Sequence, residues 1–240
     1  MKVGLVGCPP DEALWSYRGS ELFDLDNDYP GIANSDSDLL PKNVCAIIKR
    51  IIKNGLALPL DVIVYDLGQG KCDAARVAVE ILTQRLDIPV IKTMNHNKSG
   101  KGTPVSDSSL TLREKARRIL DGLLIWNGDT LDVKEEPLPK AAIWGVPAAD
   151  LSIYDLFPPG TKLLGWFRCL ENRTPADLDF ELYVEPGIPT VFFAQTFCHK
   201  NILAKELAKR YGGLYVDADG SLTNSTKAKI EAFLRFNGAG

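Results

Sequence analysis

The stretch Val191-Phe-Phe-Ala-Gln-Thr-Phe-Cys-His-Lys200 decides the fold class of this chain. It is an apolar, aromatic run of strand length that stops at Cys198, and the residues after it carry apolar side chains at helical spacing up to Gly213. Cys198 is therefore predicted to lie on a strand-to-helix turn. In an open α/β sheet, ligands bind at such turns, beside the carboxyl ends of the strands. A buried cysteine that packs as a small hydrophobe is the alternative interpretation.

Strand-like runs and amphipathic helical patterns alternate along the chain. The predicted strands are residues 2–7, 61–66, 89–91, 123–126, 141–144, 163–167, 190–197 and 214–216. This alternation predicts an α/β fold with two doubly wound, Rossmann- or flavodoxin-like units of mainly parallel sheet. Prolines and acidic residues mark a hinge region at 135–139, so we expect an N-terminal unit over residues 1–125 and a C-terminal unit over 126–240 that face a cleft.

Helical spacing predicts four helices in the first half. They cover residues 12–23, 41–53, 74–85 and 108–120, and the second of them is predicted to stop at Asn54-Gly55. On the fourth, the basic residues Arg113, Lys115, Arg117 and Arg118 are predicted to form a solvated face.

Composition excludes several function classes. The net charge of −3 and the lack of a basic stripe argue against a nucleic-acid surface. No apolar run reaches the roughly 20 residues of a membrane span, and the start, residues 1–7, is too short and glycine-rich for a signal peptide. We therefore expect a cytoplasmic protein, whose five cysteines are thiols, metal ligands or redox groups rather than structural disulfides.

The cysteines recur at similar positions. Cys8, Cys72, Cys169 and Cys198 each follow a predicted strand, and Cys45 lies in the first turn of a predicted helix, where the helix dipole favours the thiolate. If the two units face a cleft, these thiols converge there, and convergent thiolates suit zinc or an iron–sulfur cluster. Their spacing fits neither a zinc ribbon or finger nor the clustered ferredoxin pattern, so a metal site would be assembled from distant segments.

Read in order, several segments resemble one known family. They are Lys42-Asn-Val-Cys45-Ala-Ile-Ile-Lys-Arg50, Cys72-Asp73 opening a helix, the Pro89 segment, Ala141-Ala-Ile-Trp-Gly-Val-Pro147, Lys162-Leu-Leu-Gly-Trp-Phe-Arg168, and Phe197-Cys198 before a helix. This pattern resembles a subunit of the 2-hydroxyacyl-CoA dehydratase and benzoyl-CoA reductase family from about residue 40 onward. Family subunits are longer than this chain, so the expectation is a small relative with a different or unknown substrate.

The resemblance implies a [4Fe–4S] cluster held by Cys45, Cys72 and Cys198. Three thiolates leave one iron position open to water or a substrate oxygen, by the same logic as an open catalytic zinc site. The family uses such clusters for low-potential electron transfer, with an ATP-hydrolysing iron–sulfur activator as the electron donor. The chain is then expected to be a reductase or dehydratase component from an anaerobe, working as a homodimer or a heterodimer with a related subunit on a small-molecule substrate. Cys8 and Cys169 fall outside this ligand set.

His199, beside Cys198, could protonate a substrate or donate to a cluster sulfur; a surface histidine at a helix start is the alternative. Two other functions stay open. One is a non-catalytic cluster carrier or partner subunit. The other is a cluster-free protein that binds a nucleotide or another small anion through residues 68–71 and 95–102. The segment 95–102 lacks the residue spacing of a phosphate-binding loop.

Overall fold

The computed structural model describes residues 1–29, 31–32, 40, 44–68, 72–98, 105–121, 139–174 and 178–239. The strands in these ranges are β1 (Lys2–Val6), β2 (Glu21–Asp24), β3 (Val62–Asp66), β4 (Val90–Thr93), β5 (Ala142–Gly145), β6 (Lys162–Gly165), β7 (Thr190–Ala194) and β8 (Leu214–Asp217). The helices are α1 (Asp11–Trp15), α2 (Ala46–Ala57), α3 (Asp73–Arg85), α4 (Leu112–Asp121), α5 (Trp166–Glu171), α6 (Leu178–Leu182), α7 (Lys200–Tyr211) and α8 (Asn224–Phe236).

The chain divides into two compact units. Unit 1 comprises Met1–Lys101, Leu120–Asn127 and Arg173–Asp177, and unit 2 comprises Gly102–Ile119, Gly128–Asn172 and Leu178–Gly240. The predicted boundary between residues 125 and 126 lies outside the described residues, as does the predicted strand at 123–126.

Each unit is built on one four-stranded parallel sheet. The strand order is β2-β1-β3-β4 in unit 1, with Leu5 opposite Val64, and β6-β5-β7-β8 in unit 2, with Ile143 opposite Val191. Helices flank both sheets. The prediction of an α/β fold with two parallel-sheet, Rossmann- or flavodoxin-like units is confirmed.

The core of unit 1 lies on both faces of its sheet. On one face α2 and α3 pack against the sheet through side chains such as Ile51 and Leu82, which contact the cluster around Ile63. On the other face Leu14 of α1 packs against Val64. Helices on both faces are expected when strands on either side of β1 are joined by right-handed crossovers.

The core of unit 2 is aromatic at its centre. Trp144 of β5 and Phe192 of β7 are fully buried and pack beneath Leu207 of α7. The Trp144 indole Nε1–H donates to the Glu181 carbonyl at 2.8 Å, so its one polar atom is paired inside the core. No helix among the described residues has the length and apolar content needed to cross a membrane.

The predicted helix at 12–23 is wrong. Only Asp11–Trp15 is helical, a left-handed turn at Gly19 follows, and residues 21–24 form β2, which pairs in parallel with β1. In the strand, Leu22 and Phe23 pack on opposite faces of the sheet. Pairing with β1 satisfies the backbone N–H and C=O groups of this segment. The spacing of apolar residues within the segment carries no information about this distant strand.

The predicted solvated face of α4 is wrong at Lys115. Its side chain is fully buried, and its Nζ donates to the carbonyls of Thr161 at 2.7 Å and Ser106 at 3.2 Å. By contrast, Arg117 on the same helix is 60% exposed. One of the charged positions on this helix, Lys115, therefore points into the core of unit 2.

Two arginines one turn away perturb Glu114 on α4. Its carboxylate accepts hydrogen bonds from Arg117 Nη2 at 2.8 Å and Arg118 Nε at 2.7 Å. These side-chain hydrogen bonds lower the pKa of Glu114 from 4.5 to about 2. A lowered carboxyl pKa stabilises the folded state at pH values above 4.5, and this contribution is lost as the pH falls towards about 2.

We expect Glu114→Gln to reduce the free energy of unfolding at pH 6 by less than about 1 kcal/mol, because the pair is partly solvated. The difference between the variant and the parent protein should shrink as the pH falls from 4.5 towards 2. Urea unfolding across this range measures it. Glu206→Gln, on the exposed i,i+4 pair with Arg210 on α7, serves as the control. A difference that grows on acidification would contradict the assignment.

Candidate functional site

The sheet of unit 1 has a topological switch point between β1 and β3. The connection after β1 leads to β2 on one side, and the connection after β3 leads to β4 on the other. In open α/β sheets, ligands bind beside the carboxyl ends of the strands at such a point. The described residues at this edge are 7–10 after β1, 67–68 after β3 and 94–98 after β4.

The helices α2 and α3 pack side by side in unit 1 and run in the same direction, since each connects two parallel strands. Gly55 of α2 approaches α3 so closely that a Cβ there would lie 2.6 Å from Leu82 Cδ1. The prediction that Asn54-Gly55 ends this helix is therefore wrong. The helix continues to Ala57, and Gly55 serves the contact between the two helices.

Cys45 and Cys72 are the N-cap residues of this helix pair. Cys45 precedes Gly55, and Cys72 precedes Leu82, by the same number of residues, so each cysteine lies equally far along its own helix from the point where the two helices touch. Cys45 is half-buried and Cys72 is exposed.

A protonated phenol lies near Cys72. The pKa of Tyr65 is raised to about 12, chiefly because burial disfavours the phenolate; the Arg76 guanidinium opposes the shift, and negative charge on Asp66 and Cys72 adds to it. Tyr65 therefore keeps its proton at neutral pH. It brings a hydrogen-bond donor to the surroundings of the thiol.

Asp66 and Asn95 join the strand ends of unit 1. The fully buried carboxylate of Asp66 accepts, at Oδ1, the N–H groups of Gly68 at 2.7 Å and Asn95 at 3.0 Å. The buried Asn95 amide donates in turn to the Cys8 carbonyl at 2.9 Å. The ends of β1, β3 and β4 are thus held in one hydrogen-bonded arrangement. Within the described part of the chain, Asp66 Oδ2 has no hydrogen-bond partner.

Arg173 is fixed at this edge from both ends. Its carbonyl accepts from the side-chain amides of Asn95 at 3.2 Å and Asn97 at 3.3 Å, and its Nη1 donates to Asp11 Oδ1 at 2.9 Å. Its φ of 53° is the one left-handed value at a non-glycine residue in the described ranges. Backbone conformations of this kind at non-glycine residues cluster at binding and catalytic sites.

A pocket of about 360 Å³ opens beside this network in unit 1. It is lined by residues 10–12 after β1, residues 94–97 after β4, and Arg173. Asn95 forms part of its wall, and His96 contributes an exposed imidazole. The pocket therefore combines carboxylates, amides, an imidazole and a guanidinium within one unit.

Cys198 lies in the turn between β7 and α7 of unit 2. The predicted strand 190–197 ends earlier, at Ala194, and the turn is closed by the Cys198 N–H donating to the Gln195 carbonyl at 2.9 Å. β7 holds the same place in the strand order of unit 2 as β3 does in unit 1, so Cys198 and Cys72 follow equivalent strands. Cys198 is half-buried.

The residues after Cys198 are polar at the start of α7. His199 occupies the N-cap position and is exposed. Lys200 forms an ion pair with Glu181, whose side chain is only 4% exposed. The ammonium group compensates the buried carboxylate and ties the start of α7 to α6.

The remaining two cysteines are buried. Cys8 follows β1 after Gly7, and its carbonyl accepts a hydrogen bond from the Asn95 side-chain amide. Cys169 was predicted to emerge at a strand end, and this is wrong: β6 stops at Gly165, and Cys169 lies inside α5. Among the described residues, no three His, Cys, Asp or Glu side chains form a group that could hold a metal ion.

The anion-binding segments predicted from glycine and lysine content are only partly described. Residues 69–71 and 99–102 lie outside the described ranges. At Gly68, a Cβ would lie 2.8 Å from both Asp66 Oδ1 and the Asn95 carbonyl oxygen. This glycine is required by close approach of the two strand ends.

The sequence interpretation missed the network of Asp66, Asn95 and Arg173. A local signal existed for the first two, because Asp66 ends the buried strand β3 and Asn95 follows β4, and polar side chains after parallel strands meet at the sheet edge. No local signal placed Arg173 at this edge, because it reaches unit 1 from a segment far along the chain.

Comparison of the chain with protein-family models gives no match, and comparison with curated proteins gives no significant match. Function is therefore inferred from the chemistry of the residues described above.

Proposed function

We propose that this chain is an iron–sulfur protein of the 2-hydroxyacyl-CoA dehydratase and benzoyl-CoA reductase type, with one [4Fe–4S] cluster on Cys45, Cys72 and Cys198. The observation that carries the proposal is the packed, parallel helix pair of unit 1, whose two N-cap residues are both cysteines. Cys198 supplies the third thiol, in the turn after the equivalent strand of unit 2.

The donor type of these residues is the one that iron–sulfur clusters use, because cysteine thiolates are their usual ligands. Cys45 and Cys72 are the N-cap residues of α2 and α3, and Cys198 precedes the N-cap residue of α7. We expect cluster binding to be coupled to assembly of the ligand set, because metal binding and folding are commonly linked.

When bound, the cluster would supply low-potential electron transfer and one iron position open to a substrate. The chain's own residues would supply the proton chemistry around it. His199 at the exposed start of α7 would donate a proton from an imidazole nitrogen. Tyr65, whose phenol stays protonated, would hold a hydrogen-bond donor near Cys72. Substrate reduction or dehydration is the reaction class that we propose for this arrangement.

The same proposal includes the working context of the protein. The cytoplasmic location is proposed from the composition and hydropathy of the sequence. An anaerobic source, pairing with an identical or related subunit, and an ATP-dependent iron–sulfur activator as electron donor are proposed from the resemblance. The alternative function is that of a non-catalytic cluster carrier or partner subunit. Bound iron with no reduction of any candidate acceptor would favour it.

We expect the full chain, purified without oxygen, to contain about four irons and matching acid-labile sulfide per chain. Cys45→Ala, Cys72→Ala and Cys198→Ala should each lose most of this iron, because three thiolates form the whole protein ligand set. The measurement is iron and sulfide content together with the visible absorption spectrum.

Cys8→Ala is the control, since Cys8 is also a cysteine at a strand end but is buried and outside the ligand set. It should keep its iron. A colourless parent protein after anaerobic expression with iron would overturn the proposal, and so would equal iron loss in Cys8→Ala.

A further inference from the structure

We propose that the pocket of unit 1 binds a small zwitterion of the α-amino-acid class. This inference is separate from the proposed cluster. It rests on the 360 Å³ pocket formed by residues 10–12, residues 94–97 and Arg173. A volume of that size lies near the lower end of the range of small-molecule sites, about 300 to 1,000 Å³, which favours a small ligand.

The charges lining the pocket select the ligand class. Asp11 and Glu12 contribute two carboxylates, and Arg173 contributes one guanidinium. The two carboxylates attract a positively charged group, and the guanidinium attracts a carboxylate. A ligand with both an ammonium and a carboxylate satisfies both groups. Asn95 and Asn97 adjoin Arg173 in the lining, since their side-chain amides donate to its carbonyl.

The Asp11–Arg173 pair indicates how the carboxylate end would bind. The guanidinium is a fork of five N–H donors suited to carboxylates, and it already holds the carboxylate of Asp11 at 2.9 Å. A ligand carboxylate would share or replace this contact. The ligand ammonium would then lie between Asp11 and the exposed Glu12.

The part of the pocket wall around Arg173 is preorganised. Its carbonyl is held by two side-chain amides, and one of them, Asn95, is buried and also bonded to the Cys8 carbonyl at the end of β1. The left-handed φ of 53° is thereby maintained without ligand. Such preorganisation lowers the entropy lost on binding. Pro10 and the half-exposed Met94 offer apolar surface to the ligand side chain.

The test is calorimetric titration of the full chain with neutral α-amino acids from alanine to phenylalanine. Each amino acid is paired with its deaminated carboxylic acid and its decarboxylated amine. We expect at least one amino acid to bind with a Kd below about 10 mM, and its acid and amine to bind at least about tenfold more weakly. Binding of the acid as tightly as the amino acid, or no binding across the panel, would overturn the proposal.

Variants locate the binding. Arg173→Gln and Glu12→Gln should each weaken binding of that amino acid about tenfold, and Arg173→Lys should retain part of the affinity because it keeps the charge. Arg210→Gln, an exposed arginine on α7, is the matched control and should leave Kd unchanged. Circular dichroism confirms folding of each variant. Unchanged affinity in both Arg173 variants and in Glu12→Gln would place the ligand elsewhere and sink the proposal.

Cys72→Ala separates this proposal from the iron–sulfur function. The variant is expected to lose iron and keep amino-acid binding, since Cys72 does not line the pocket. A parent protein without iron that still binds the amino acid would leave the pocket proposal intact. A parent protein with iron that binds none of the panel would overturn the pocket proposal alone.

Discussion

Lys115→Ala is expected to lower the free energy of unfolding by about 3 to 4 kcal/mol. The Lys115 side chain is fully buried in unit 2, and its ammonium donates to the Thr161 and Ser106 carbonyls. Alanine removes the aliphatic stem and leaves a cavity. It also leaves two carbonyls in buried residues without this donor. Urea unfolding, followed by tryptophan fluorescence, measures the loss.

Two further substitutions separate the causes. Lys115→Met keeps most of the side-chain volume, so its smaller loss of about 2 kcal/mol would report mainly the unpaired carbonyls. Arg117→Ala, on the exposed face of the same helix, should change stability by less than about 1 kcal/mol. If Lys115→Ala were as mild as Arg117→Ala, the buried position of Lys115 would be refuted.

Gly145→Ala is expected to lower the free energy of unfolding by about 3 kcal/mol. Gly145 ends β5 and pairs with Phe193 of the neighbouring strand β7. A Cβ at this position would lie 2.3 Å from the Phe193 carbonyl oxygen and 3.1 Å from its carbonyl carbon. These are backbone atoms of a paired strand, so the clash cannot be relieved by turning a side chain. Relief requires the two central strands of the sheet to separate.

Gly220→Ala is the matched control for this substitution. A Cβ at Gly220 meets no atom within 4 Å, so alanine should be close to neutral in stability. Thermal and urea unfolding of the two variants should differ clearly in midpoint. Equal midpoints would mean that β5 and β7 are not packed as closely as described.

Much of the fold could be predicted from local patterns. The near-continuous apolar runs at 62–66 and 190–194 are buried along their whole length, as expected of central parallel strands. The helix with Cys45 at its start was predicted because its apolar stripe repeats at helical spacing. Periodicity of this kind is a property of neighbouring residues, so it can be read without knowledge of the fold.

The candidate site was predictable only in part. That Cys45, Cys72 and Cys198 lie at helix starts follows from local signals. That the two helices behind Cys45 and Cys72 pack closely at Gly55 and Leu82 is a tertiary contact, and the local pattern at Asn54-Gly55 predicted a helix end there instead. The joining of Arg173 to Asn95 depends on residues far apart in the chain.

The sequence by itself determined the α/β class and the positions of most strands and long helices, because these follow from the spacing of apolar residues that are close together in the sequence. Tertiary structure alone decided that Lys115 is buried, that residues 21–24 form a strand, and that Arg173 completes the edge of unit 1. In each of these cases the deciding energy comes from a partner distant in sequence. The Lys115 ammonium, the backbone of residues 21–24 and the Arg173 guanidinium each depend on a hydrogen bond to that distant partner.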